Sequence, residues 1–169
     1  MKKQGMLSAL ISLGVVSAIA LVVLLNVGYQ ARLVGPVMIL LGLIPWLPIK
    51  LSGRPIRSTG ADIVFGAVDT GLLAVAALIG AELAGIFGAI VVHRIERLLG
   101  GVGGLVGDSI TDGLAGMFEG RAAESLRAHG IEEARTAMSA SMGKMSGCLL
   151  GAGATLTIAW TIIGIALPW

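Results

Sequence analysis

Long apolar runs, interrupted at a few places by proline, glycine or charge, set the pattern of this chain. Runs at about 5–28, 62–92 and 147–167 reach the roughly 20 residues needed to cross a hydrocarbon core about 30 Å thick. Each predicts a membrane-spanning helix. A further run, 31–49, is long enough but carries Gly35-Pro36 near its start and Pro45-Trp46-Leu47-Pro48 near its end. Proline removes a backbone donor and clashes with the preceding turn, so this helix is expected to be kinked, shortened or re-entrant. The run 62–92 exceeds a minimal span by about ten residues. It must tilt, begin in the interface, or break near Gly66–Gly71, where Asp69 could cap a new helix.

The N-terminus begins Met1-Lys2-Lys3 and contains Ala18-Ile19-Ala20, which has the outline of a cleaved secretory signal. The apolar run continues through Leu21-Val22-Val23-Leu24-Leu25 to about Gly28, and that length favours an uncleaved first spanning helix.

Between the third and fourth spanning segments lies a polar stretch, 93–146. His93-Arg94-Ile95-Glu96-Arg97 reads as a membrane exit, and 100–120 holds eight glycines and three acids. Residues 121–145 alternate in charge and place Leu126, Ile131, Ala134 and Met138 at helical spacing, predicting an amphipathic surface helix interrupted at Gly130. The expected fold is an all-α integral membrane protein. It forms a single membrane domain over 1–169, with about four hydrophobic helices and the surface helix. Orientation is strained: with the N-terminal lysines inside and four crossings, Arg94, Arg97, Arg121, Arg127, Arg135 and Lys144 fall outside, against the positive-inside rule. A re-entrant second segment would reverse this.

Composition strengthens the membrane reading. The chain is 56% hydrophobic and only 13% charged, whereas charged residues make up about 25% of a soluble domain. Too little polar side chain exists to coat a water-soluble globule of this size. Twelve Lys/Arg against ten Asp/Glu, with few aromatics, exclude the concentrated basic patch of a nucleic-acid binder. Cys148 stands alone beside Leu149 and Leu150, and His93 and His129 are distant in sequence, so common zinc and iron–sulfur spacings are absent. No cofactor is implied. The partners expected are the bilayer, in the cell's inner (cytoplasmic) membrane, and either further copies of the chain or other membrane subunits.

Small residues recur at helical spacing. GxxxG occurs at Gly100/Gly104, Gly103/Gly107, Gly116/Gly120 and Gly147/Gly151, with related pairs at Ala81/Gly85 and Ala84/Gly88. In lipid little hydrophobic force draws helices together, so small faces that let backbones approach supply van der Waals contact instead. Ala81, Gly85, Gly88, Gly100, Gly104, Gly147 and Gly151 are the candidate packing positions. A glycine-rich chain also produces such pairs by frequency alone.

Acids inside apolar sequence are the candidate chemistry. Glu82 lies deep in the third run, and Asp69 thirteen residues earlier, about 20 Å along an ideal helix and about 140° around it. They cannot form one site by themselves. Either could bind a cation or proton, because a carboxylate in lipid is costly unless compensated. The structural alternatives are a paired or protonated Glu82 and a capping Asp69. Asp108, Asp112 and Glu119 would share one stripe if helical, a weak candidate for a hard cation such as Mg²⁺ or Ca²⁺, against the plainer reading of a solvated acidic face. Val68-Asp69-Thr70-Gly71-Leu72 also resembles Ile110-Thr111-Asp112-Gly113-Leu114.

Two function classes remain. One is an oligomeric cation or proton channel or transporter using an intramembrane carboxylate. The other is a non-catalytic subunit that anchors, scaffolds or shapes a membrane complex. An enzyme ranks third, with no nucleophile–base pair in view.

Overall fold

The computed structural model describes the backbone of residues 2–27, 31–87, 89–132 and 136–163, and the side chains of 6–26, 32–79, 108–132 and 136–160. The described residues are helical with no strand. The elements are α1 (Lys2–Val27), α2 (Ala31–Leu41), α3 (Trp46–Leu51), a 3-10 turn (Ile56–Thr59), α4 (Gly60–Phe87), α5 (Ala89–Ala128) and α6 (Ala137–Thr157), ending in a π-helical turn (Ile158–Ile163). Among the described residues, three stretches are long and apolar enough to cross a membrane: Met6–Asn26, Arg32–Leu51 and Ile56–Ile79.

Helix α6 is the central post, and α4 lies along it in parallel. Gly143 approaches Thr59 and Asp62, Gly147 approaches Ile63, Gly151 approaches Ala67, and the Thr155 hydroxyl donates to the Gly71 carbonyl at 3.3 Å. Each contact is four residues further along both helices, so the register holds over about 18 Å. A Cβ on Gly147 or Gly151 would fall on the carbonyl oxygen of Ile63 or Ala67, and one on Gly66 would meet the backbone of Lys144 and Cys148. The two backbones meet directly. Gly147 and Gly151 therefore do pack a helix seam, and Gly143 extends it by one turn.

Helix α2 and α3 run antiparallel along another side of α6. Gly35 meets Thr157, Gly153 meets Ile39, and Gly42 meets Leu150. The Trp46 indole then donates to Ser146 Oγ at 2.8 Å, and Ser146 donates to the Gly42 carbonyl at 2.7 Å. The run 31–49 is thus broken by the turn between α2 and α3, where Gly42 and Pro45 are buried against α6. It does not fold back: it continues toward the same end of the bundle, where Ile49 packs with Met142. At the opposite end Leu78, Ala159 and Trp160 form a second cluster. The Trp160 indole N–H is buried with no acceptor among the described residues.

Helix α1 touches α2 and α6 through a narrow stripe, Ala9, Val16 and Ala20. Leu13 also packs on the Val16 cluster, while many of the other large side chains face outward, with Leu25 at 66% exposure and Leu21 and Val22 at 60%. A helix apolar on every side with only one side covered suits hydrocarbon, since leaving each leucine-sized side chain in water costs about 1.5–3 kcal/mol.

Several boundaries differ from the sequence expectation. The run 62–92 does not break at Gly66–Gly71, and Asp69 caps nothing: α4 continues without interruption to Phe87. Glycines there lower helix propensity by about 1 kcal/mol each, but Gly66 is what allows α6 to approach. The stretch 93–146 is mostly one 40-residue helix, α5, rather than a loop and a surface helix. Residues 121–128 are its last two turns. Gly130, at φ +70°, turns the chain in a conformation side chains disfavour. A Thr136/Ser139 capping box then starts α6 at Ala137, ten residues before the expected 147.

Candidate functional site

Asp69, one of the acids of the apolar region, lies where α4 and α5 pack in antiparallel fashion. Asp69, half-buried on α4, accepts a hydrogen bond from Thr111 Oγ1 on α5 at 2.8 Å. Thr111 is 8% exposed and also lies 3.1 Å from the Asp108 carbonyl, an alternative acceptor for the same proton. Gly60 against Leu126 fixes the other end of the pair. The two similar pentapeptides at Val68 and Ile110 therefore face each other across this crossing.

Asp69 stands beside the centre of the apolar stretch Ile56–Ile79. Through the Thr111 bond, α5 residues 108–113 share that depth. Asp108 and Asp112, three residues before and one residue after Thr111, are both exposed. They are i, i+4 neighbours with no hydrogen bond or ion pair from the protein to either side chain among the described residues. Glu119, about 10 Å further along the helix, is half-buried and is held by its own contacts. Among the described residues no three His, Cys, Asp or Glu side chains stand close enough together to hold a metal ion.

Around this point the outer face of α5 is open. Gly113, Gly116 and Gly120 have no neighbour within 4 Å of where a Cβ would stand. Beside them Ile110 is 59% and Met117 63% exposed. The line Ile110, Gly113, Met117, Gly120, Glu124 has the three-four spacing of a helix-packing seam. Among the described residues nothing covers it.

Of the other sequence candidates, Glu82 lies on the backbone of α4, and the unbroken helix keeps it about 20 Å from Asp69. The side chains of Glu82, Ala81, Gly85, Gly100 and Gly104, and the whole of Gly88, lie outside the described residues. Thr111 was missed from sequence: a threonine in a glycine-rich stretch gives no signal that its hydroxyl meets an acid 42 residues away.

Among the described residues, the basic side chains gather toward one end of the bundle. Because α5 returns along α4, Arg121 and Arg127 come to the end that carries Lys50, Arg54 and Arg57; Lys144 lies one turn inward, its Nζ 3.8 Å above the Phe65 ring. Arg32 begins α2 at the other end. Comparisons with known protein families, curated proteins and solved structures found no match.

Proposed function

We propose that the chain is an integral membrane protein whose copies associate through the outer face of α5. There the carboxylates of Asp108 and Asp112, backed by Asp69, line a path for a cation or proton. The observation that carries this reading is the exposure of Asp108 and Asp112 at the depth of Asp69, midway along an apolar stretch. An ionised carboxylate facing lipid at mid-depth costs several kcal/mol, and such residues face a bundle interior or a water-filled cavity. Lipid is the wrong cover for this face.

The open glycines supply the room for that cover. Gly113, Gly116 and Gly120 leave a groove into which Ile110 and Met117 of a neighbouring α5 would fit. Arg121 and Glu124 on the same helix give a second copy complementary charges. Glu82, on the same helix as Asp69, is a second proton-binding group on such a path. The basic end, with Lys50, Arg54, Arg57, Arg121 and Arg127, faces the cytoplasm by the positive-inside rule, in a cell membrane. With α5 returning along α4, Arg121 and Arg127 fall on the side that rule favours.

The test is cation or proton flux in proteoliposomes, with the oligomer size measured in parallel. The reading expects flux that falls at least tenfold in Asp108→Asn/Asp112→Asn with assembly intact. An assembled protein that passes no cation or proton would remove the transport role and leave the scaffold reading, in which α5 docks a different subunit.

A further inference from the structure

At the basic end, the loop between α3 and α4 and the turn between α5 and α6 enclose a depression of about 500 Å³. Arg54, Arg57 and Ser58 line one side; Gly130, Ile131 and Glu132 line the other. Both walls are set by glycines in the left-handed region, Gly53 at φ +75° and Gly130 at φ +70°, so the two turns are defined shapes. Arg54 is half-buried and Arg57 exposed, and neither has an ion-pair partner among the described residues. Glu132, the acid of the lining, pairs with neither. Two unpaired guanidiniums at one concavity present a fork of donors matched to phosphate oxygens.

Position decides which phosphate. The depression begins where the apolar stretches Arg32–Leu51 and Ile56–Ile79 end, which is headgroup level for a spanning bundle. Pro55 and the half-buried Ile131 give it an apolar wall beside the arginines. A free anion has no use for that wall; the glycerol and upper acyl carbons of a lipid do. We infer that this depression binds the phosphodiester headgroup of an anionic phospholipid, with Arg54 and Arg57 gripping the phosphate and Lys50 adding charge nearby. The inference rests on the membrane reading of the chain but not on transport or on the α5 interface.

The experiment uses the purified full-length protein in a neutral detergent. Its thermal unfolding and its lipid adducts in native mass spectrometry are followed with added phosphatidylglycerol, phosphatidylcholine or inorganic phosphate. Phosphatidylglycerol is expected to raise Tm and to stay bound, phosphatidylcholine and phosphate to do neither, and Arg54→Gln/Arg57→Gln to weaken phosphatidylglycerol binding at least fivefold. The lipid-free Tm of that variant controls for folding, and Arg54→Lys/Arg57→Lys should bind at an intermediate level. Equal binding of phosphatidylcholine, or phosphatidylglycerol binding unchanged in the glutamine variant, would overturn the site. Inorganic phosphate reproducing the whole effect would overturn the lipid as its source. Alkaline carbonate extraction of membranes tests the membrane reading separately: protein released into the soluble fraction would contradict insertion, whatever the binding result.

Discussion

Thr111 on α5 donates its hydroxyl proton to Asp69 on α4 across 2.8 Å, in the middle of the bundle's apolar depth. The same hydroxyl has a second acceptor within reach, the Asp108 carbonyl on its own helix at 3.1 Å.

Removing this hydroxyl should cost stability. Thr111→Val leaves Asp69 without its donor, and an orphaned buried polar group costs about 1–3 kcal/mol. Asp69→Asn retains an acceptor and should cost less. Chemical unfolding in detergent of these variants, and of Asp69→Ala with and without Thr111→Val, checks this, with the Asp69→Ala/Thr111→Val double expected to fall well short of the sum of its two singles. Additive losses would mean the bond contributes nothing to the pair.

The glycines divide into two groups that should respond oppositely. Gly147→Val or Gly151→Val drives side-chain atoms into the backbone of α4, and overpacking of this kind costs about 1–3 kcal/mol or more. Gly113→Ala or Gly116→Ala meets open space and removes a helix-weakening residue, a gain of about 0.5–1 kcal/mol for the dissociated monomer. Unfolding midpoints measured under dissociating detergent conditions separate the groups. Gly116→Leu should leave the monomer folded while abolishing its association, seen by size-exclusion chromatography with light scattering.

Ser146 both accepts from the Trp46 indole and donates to the Gly42 carbonyl, closing the α2–α3 turn onto α6. Ser146→Ala strips two buried groups of their partner at once. The expected loss is about 1–3 kcal/mol with a shift in Trp46 fluorescence, read in a Trp160→Phe/Trp169→Phe background. Trp46→Phe, which removes the donor as well, should cost less hydrogen-bond energy than Ser146→Ala.

The apolar stretches up to residue 79 were legible in the sequence because length and hydropathy are local properties. Pairing was not. Gly147/Gly151 and Gly116/Gly120 are the same motif in the sequence, yet one is a backbone contact and the other is open, because only the fold decides which face meets a neighbour. The glycine-dense 100–120 gave no element of its own in the sequence, and α5 is helical through it, packed against α4 with Ala115 and Ala123 buried. Asp69 stands out in the sequence as an acid among apolar residues, whereas its bond to Thr111 and the tie from Trp46 to Ser146 join positions 42 and 100 residues apart and leave no local trace.

The central claim is that the outer face of α5 is shielded from lipid although it lies at hydrocarbon depth. Spin-label collision accessibility tests it most directly, with labels at Gly113→Cys and Val22→Cys in a Cys148→Ser background, reconstituted in bilayers. Val22, on the apolar outer surface of α1, should collide freely with oxygen, which concentrates in hydrocarbon. The account predicts low oxygen accessibility at 113, together with dipolar broadening between labels on neighbouring copies or contact with a water-soluble nickel reagent. Oxygen collisions at 113 as frequent as at 22, with no broadening and no nickel contact, would place that face in lipid and contradict it.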